Sequence, residues 1–270
     1  MSQSILNRTP PPADDRIAYG DGELHFADLR LPPGRGPHPC AIGIHGGFWR
    51  NLYNLDHFGH ACAALTERGI ATWSIEYRRI GDPGGGWPGT FNDVAAAAAH
   101  VFDHAGEFEI DPARIVVIGH SAGGHLASWL ASMASVPDES PIRAEPLDLR
   151  GAAPLAGLLD LRMTWAQQLG SGAVVELLGG TPEEAPDRYN AASPFTLAPS
   201  IVPHVVVHGS DDVIVPARMS ARYQAAASKL GGQVSLNLLR DAGHFDVIDP
   251  ESSGWPEIAD AVLGLVGMND

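Results

Sequence analysis

A chain of 270 residues, 44% of them hydrophobic, carries enough apolar side chain to bury a substantial core, and no strong linker divides it in two. Its formal charge of −15, from 17 Lys and Arg against 32 Asp and Glu, excludes nucleic acid as a partner, because phosphate binding needs clustered cations. No run approaches the roughly 18 consecutive apolar residues of a membrane span, and only Cys40 and Cys62 supply thiols. The chain therefore reads as a soluble, cytoplasmic protein with two reduced cysteines in or near its core.

The first dozen residues, MSQSILNRTPPP, are polar and proline-bearing and resemble neither a signal peptide nor an anchor. Residues 1–15 are expected to be a loose N-terminal arm. RIAYG and ELHFADLRL, separated by Asp21-Gly22, predict an antiparallel hairpin, and the apolar run PCAIGIHGG predicts a strand buried on both faces. A helix from Asp56 to Arg68 stops at Gly69, followed by the strand IATWSIEYR and, beyond a glycine-rich loop, an alanine-rich helix from Asn92 to about His104. The rhythm continues through strand RIVVIGH, helix GGHLASWLASM, strands RGAAPLAG and PHVVVHG, helix ARMSARYQAAASKL, strand QVSLNLLR and a closing helix from Pro256 to Val266. Such alternation predicts a mostly parallel sheet covered on both faces by helices. Residues of about 160–198 exceed a simple crossover and predict a small helical cap insertion within a single domain of residues 16–270.

Chemistry concentrates where a buried strand runs directly into a helix. Gly119-His-Ser-Ala-Gly123 fits G-x-S-x-G, and its glycines permit the sharp turn that exposes a serine at the carboxyl end of a sheet. Ser121 is thus the expected nucleophile. Adjacent side chains on such a turn diverge, so His120 is expected to point inward, and His125 to pack or hydrogen-bond one helical turn away. The base must come from later in the chain. Strand PHVVVHG leads to Asp211 and Asp212, and strand QVSLNLLR leads to His244, which fall where the acid and histidine loops are required. His244 is the expected base, oriented by Asp211 or Asp212, and Asp241 and Asp246 read as exposed loop charges. Backbone N–H groups of Gly46 or Gly47 and of Ala122 supply an oxyanion hole. His100/His104 and His57/His60 have helical spacing but no third ligand, so neither a metal nor a cofactor is expected.

HGGFW, EYR, GHSAGGHLA, HGSDDVIVP and the late GHFD together resemble the α/β-hydrolase superfamily from about Ile17 onward, in the branch holding hormone-sensitive-lipase-like esterases and kynurenine formamidases. The resemblance implies an eight-stranded α/β-hydrolase fold, and its pattern of an acid four residues after the HG histidine selects Asp212. The HGG-aromatic-Trp form and the histidine of SAGGHLA are most similar to the formamidases. That implies hydrolysis of an N-formyl aryl amide of the N-formylkynurenine type through a formyl-serine. Phe48 and Trp49 would then flank an aromatic ring, and Arg50 and Arg78 are the candidates to hold a carboxylate. The alternatives are a carboxylesterase acting on short-acyl or aryl esters with the same residues, and a non-catalytic binding protein, which the complete serine, acid and histidine set disfavours. The expected partner is a small-molecule substrate, with a homodimer allowed.

Overall fold

A computed structural model describes residues 4–268. Two short antiparallel strands, β1 (Asp15–Ala18) and β2 (Phe26–Arg30), lead into β3 (His38–Ile44). There follow α1 (Asp56–Glu67), β4 (Ala71–Ile75), α2 (Gly89–Asp103), β5 (Ile110–His120), α3 (Ala122–Ala131) and β6 (Gly151–Leu155). Four short helices come next, α4 (Leu161–Ala166), α5 (Ala173–Leu178), α6 (Pro186–Ala192) and α7 (Pro194–Leu197), and then β7 (His204–Gly209), α8 (Arg218–Lys229), β8 (Val234–Leu239) and α9 (Trp255–Leu265). The eight strands form one sheet in the order β1-β2-β4-β3-β5-β6-β7-β8, with β3 to β8 parallel. This is the α/β-hydrolase arrangement.

Alternation along the central strands builds both faces of the core. Cys40, Ile42 and Ile44 of β3 and Ile115 and Val117 of β5 pack on one face with α2 and α3. Ala41, Val116 and Ile118 face the other way, onto α1 and α9. Burial of each such Ile or Val contributes about 1.5–3 kcal/mol, which is why these strands read as unbroken apolar runs. Both cysteines are buried and free, and burial pushes each thiol up.

The strand order locates the crevice. After β3 the chain moves to β4 on one side, and after β4 it crosses back to β5 on the other. The winding reverses at β3, so the loops leaving the carboxyl ends of β3 and β5 separate and leave room for a ligand.

Two expectations need correcting here. The N-terminal arm is not loose within the described residues. Ser4–Asn7 forms a 3-10 turn, Ile5 is buried in the α1/α9 core, and Arg8 pairs with Asp249 and Glu251; residues 1–3 lie outside the described residues. The β1–β2 connection is also longer than Asp21-Gly22, since Tyr19 N–H donates to His25 O and His25 N–H to Gly22 O, closing the turn at 22–25.

Candidate active site

Ser121 occupies the turn between β5 and α3 with φ 56° and ψ −116°, a conformation that is strained for a residue carrying a Cβ. The packing demands it. A Cβ on Gly119 would lie 2.2 Å from Gly123 O, and one on Gly123 would lie 2.0 Å from Ile44 O, so the turn can close only with glycine on both sides. Ser121 N–H donates to Leu155 O, which ties the turn to the end of β6. The side chain faces a pocket of about 120 Å³ lined by Leu6, Gly47, Phe48, Tyr53, His57, His120, Ser121, Ile214, His244 and Phe245.

His244 and Ser121 share this pocket. His244 Nδ1 donates to Asp212 Oδ2 at 2.6 Å, which fixes the tautomer and leaves Nε2 as the acceptor for a serine proton. Asp212 Oδ1 accepts from the Ile214 and Val215 N–H groups at 2.8 and 2.9 Å, and His208 Nε2 stands 3.2 Å from Oδ2. Burial alone would raise the Asp212 carboxyl. The hydrogen bonds from His208 and His244 and the charge of His244 outweigh it, holding the group well below its ordinary value. Asp211 instead accepts from Ser210 Oγ on the surface, so the structure brings Asp212, not Asp211, to the base. Asp241 is exposed, whereas Asp246 accepts from Gly243 N–H and braces the histidine loop.

The loop after β3 closes the opposite side. Gly47 has φ 112°, lines the pocket, and has no protein acceptor for its N–H among the described residues. A Cβ on Gly46 would lie 3.0 Å from the Ser121 Cβ, so this peptide lies directly against the nucleophile. Ala122, as the first residue of α3, has an N–H with no intrahelical partner. Gly46 and Gly47 thus lie beside the turn that carries Ser121 and Ala122.

Phe48 lines the pocket and packs against Gly170 in the segment between β6 and β7. Trp49 does not line it, contrary to expectation. Positive φ at both Phe48 (50°) and Trp49 (57°) turns the indole into the core, where it is 0% exposed and its Nε1–H donates to His125 Nδ1 at 3.1 Å. His125 Nε2–H donates in turn to Ala192 O at 2.9 Å, and burial holds the ring neutral, its pKa pushed down to about 4. His125 therefore hydrogen-bonds as expected.

His120 is buried but does not point away from the base. Its Nε2–H donates to His244 O at 2.9 Å and its ring packs 4.6 Å from that of His244. His57, beside it, is pushed down to about 3, first by burial and then by repulsion from His45. Neither arginine candidate reaches the pocket. Arg78 forks onto Asp93 at 2.7 and 2.8 Å, and Arg50 pairs with Glu176. His100 and His104 stack on each other, and His60 Nε2 donates to Arg8 O. Sequence reasoning missed Leu6, Tyr53, His57, Ile214 and Phe245, which complete the wall. Ile214 and Phe245 adjoin Asp212 and His244 in the motifs and were accessible from them; Leu6 carried no such signal.

The family BD-FAE matches residues 27–226. Esterase LipQ of Mycobacterium tuberculosis is 30% identical over 93% of this chain and 61% of its own length. Kynurenine formamidase of Danio rerio is 26% identical over 86% of this chain and 75% of its own. A thermophilic esterase from the Planctomycetes species Thermogutta terrifontis, solved with propionate bound, superposes with a TM-score of 0.74 at 24% identity, covering 95% of this chain and 96% of the other. The chain spans about half to three fifths of the length of the first curated esterases it matches. A serine on a strained strand-to-helix turn, a histidine locked by a buried aspartate, and the matched profile agree: the chain belongs to the BD-FAE family of α/β-hydrolases.

Proposed function

We propose that this protein is a serine hydrolase that cleaves carboxylic esters of short acyl groups. The observation that carries the reading is the pocket itself: about 120 Å³, walled by aromatic, aliphatic and imidazole side chains, with no Arg or Lys among the described residues of its lining. An apolar cavity of about 150 Å³ just accommodates benzene, so this one suits an acetyl or propionyl group. Ser121 Oγ attacks the ester carbonyl carbon while His244 Nε2 takes its proton. The oxyanion accepts from Gly47 and Ala122 N–H, and His244 then protonates the departing alkoxide. Water repeats the sequence on the acyl-serine and releases the acid. Similarity to an esterase and to an esterase structure with bound propionate supports this reading.

A formamidase activity rests on the kynurenine formamidase similarity and on the rings of Phe48, Tyr53 and Phe245. The engagement of Arg50 with Glu176 and of Arg78 with Asp93 leaves neither candidate arginine free for an amino-acid carboxylate, which favours the ester. Measuring kcat/KM for acetyl, propionyl, butyryl and hexanoyl aryl esters beside N-formylkynurenine tests the choice. A formamide preferred over every ester would overturn it.

A further inference from the structure

Behind the loop after β3 lies a buried charged group that the mechanism above does not use. Glu76, 1% exposed, lies just beyond β4. Its Oε1 stands 2.9 Å from His45 Nε2 and accepts from Tyr77 N–H, and its Oε2 accepts from Leu55 N–H. His45, 0% exposed, donates from Nδ1 to Gly46 O at 2.8 Å. Tyr77 stacks on the His45 ring at 4.4 Å and donates from its hydroxyl to His45 O. Every polar atom of the His45 ring is thus engaged, and the ring can neither rotate nor shift.

We propose that Glu76, acting through His45, is a positioning residue for the oxyanion hole: it holds the Gly46–Gly47 peptide so that its N–H faces Ser121. The reasoning is geometric. Gly46 C=O and Gly47 N–H belong to one planar trans peptide and point in opposite directions. Fixing the oxygen with a hydrogen bond from behind therefore fixes the direction of the N–H in front. Without that anchor a Gly-Gly pair is loosely constrained backbone, with Gly47 at φ 112° free to relax. A donor on the carbonyl also polarises the peptide, making its N–H a stronger donor in a dry site. Burial would raise the Glu76 carboxyl, but the charge and hydrogen bond of His45, with the charge of Arg79, hold it below its ordinary value, consistent with a carboxylate retained for this contact.

This inference rests on the hydrolase reading but not on which ester is cleaved, so its test uses a fluorophosphonate. That reagent forms an Oγ–P bond to Ser121 with loss of fluoride, and its phosphoryl oxygen sits where the oxyanion would. His45→Asn keeps a donor at the δ position facing Gly46 O but no longer reaches Glu76, whereas His45→Gln reaches Glu76 and loses Gly46 O. His45→Gln is expected to slow phosphonylation, and kcat on any cleaved ester, by about 10- to 100-fold, approaching the loss of one oxyanion donor, with KM within about threefold. His45→Asn is expected to recover only part of that loss, because Glu76 no longer holds its side chain, and Glu76→Gln to fall between; parent-like rates in Glu76→Gln would overturn the role of Glu76. Equal labelling rates in the two His45 variants would overturn the proposal, as would binding of the product acid that weakens as much as the rate. If the variants do not fold, the unmodified protein decides: the His45 Nδ1–H proton must resist solvent exchange in NMR spectra, and rapid exchange refutes the anchor. Absence of ester turnover alongside sensitive labelling would sink the ester reading and leave this one standing.

Discussion

Replacing Asp212 by Asn preserves shape while reversing one hydrogen bond, and the surroundings dictate which one. The Ile214 and Val215 N–H groups both point at Oδ1, so the amide oxygen must take that position. The NH₂ group then replaces Oδ2, 2.6 Å from His244 Nδ1. Two donors cannot face each other, so His244 gives up its Nδ1 proton and carries it on Nε2, where it can no longer accept from Ser121. The wrong-tautomer state reduces kcat by about 10⁴-fold, roughly 5 kcal/mol at 1.36 kcal/mol per tenfold. His208 adds to the effect, because its Nε2, 3.2 Å from Oδ2, would also meet a donor. Steady-state rates on a short aryl ester, together with fluorophosphonate labelling, measure the loss, and an unchanged KM identifies it as chemical. Activity within tenfold of the parent would show that His244 keeps its tautomer without Asp212, and the assignment of the acid would fail.

Three further outcomes follow from the same geometry. Leu6→Ala removes part of the pocket wall, and the preferred acyl chain should lengthen by one or two carbons in a series of aryl esters; an unchanged profile would show that Leu6 does not bound the acyl site. Trp49→Phe strands the His125 Nδ1 lone pair in a dry core, which costs about 1–3 kcal/mol; the unfolding midpoint should fall at about 2–4 °C per kcal/mol, and an unaltered midpoint in calorimetry contradicts the bond. Asp212 and Glu76 both lie below their ordinary values when folded. Their stabilisation is therefore complete above the unfolded carboxylate values near 4 and is lost as pH falls through the lower folded values. Buried His57 and His125, pushed down to about 3 and 4, refuse the protons that unfolded histidines take up below about 6.5. Urea midpoints should therefore already fall from about pH 7 to 5 and fall further below about 4, and a flat profile down to pH 3 would refute the shifts.

The sheet was legible because strands buried on both faces spell themselves out as apolar runs, and β3, β5 and β7 do so in their motifs. The nucleophile was legible because glycine is enforced on both sides of Ser121 by contacts under 2.5 Å to backbone oxygens. Spacing alone did not separate Asp212 from Asp211; the family resemblance selected Asp212, and the fold shows why, with the Asp211 N–H committed to Ala242 O and its side chain to the surface. Trp49 was misplaced because a motif gives a residue's position in the chain but not its φ, and φ decides whether an aromatic side chain faces ligand or core. Docking of Ser4–Asn7 left no trace, as one turn with a single buried Ile5 has no period to detect. His120 illustrates the same limit: its neighbour across space is the His244 carbonyl, 124 positions away in the chain.

His125 joins three separate stretches of chain. Trp49 belongs to the loop after β3, His125 to the helix carrying the nucleophile, and Ala192 to the end of α6 in the segment between β6 and β7. A neutral imidazole with one donor and one acceptor can satisfy both neighbours only if each presents the complementary group. Any exchange of the β6–β7 segment for another must therefore bring a carbonyl to the place of Ala192 O. Otherwise the unmet Nε2–H transmits its strain to Trp49 and from there to the peptide facing the substrate. The helix that carries the nucleophile is thus tied to the β6–β7 segment through a main-chain carbonyl, Ala192 O.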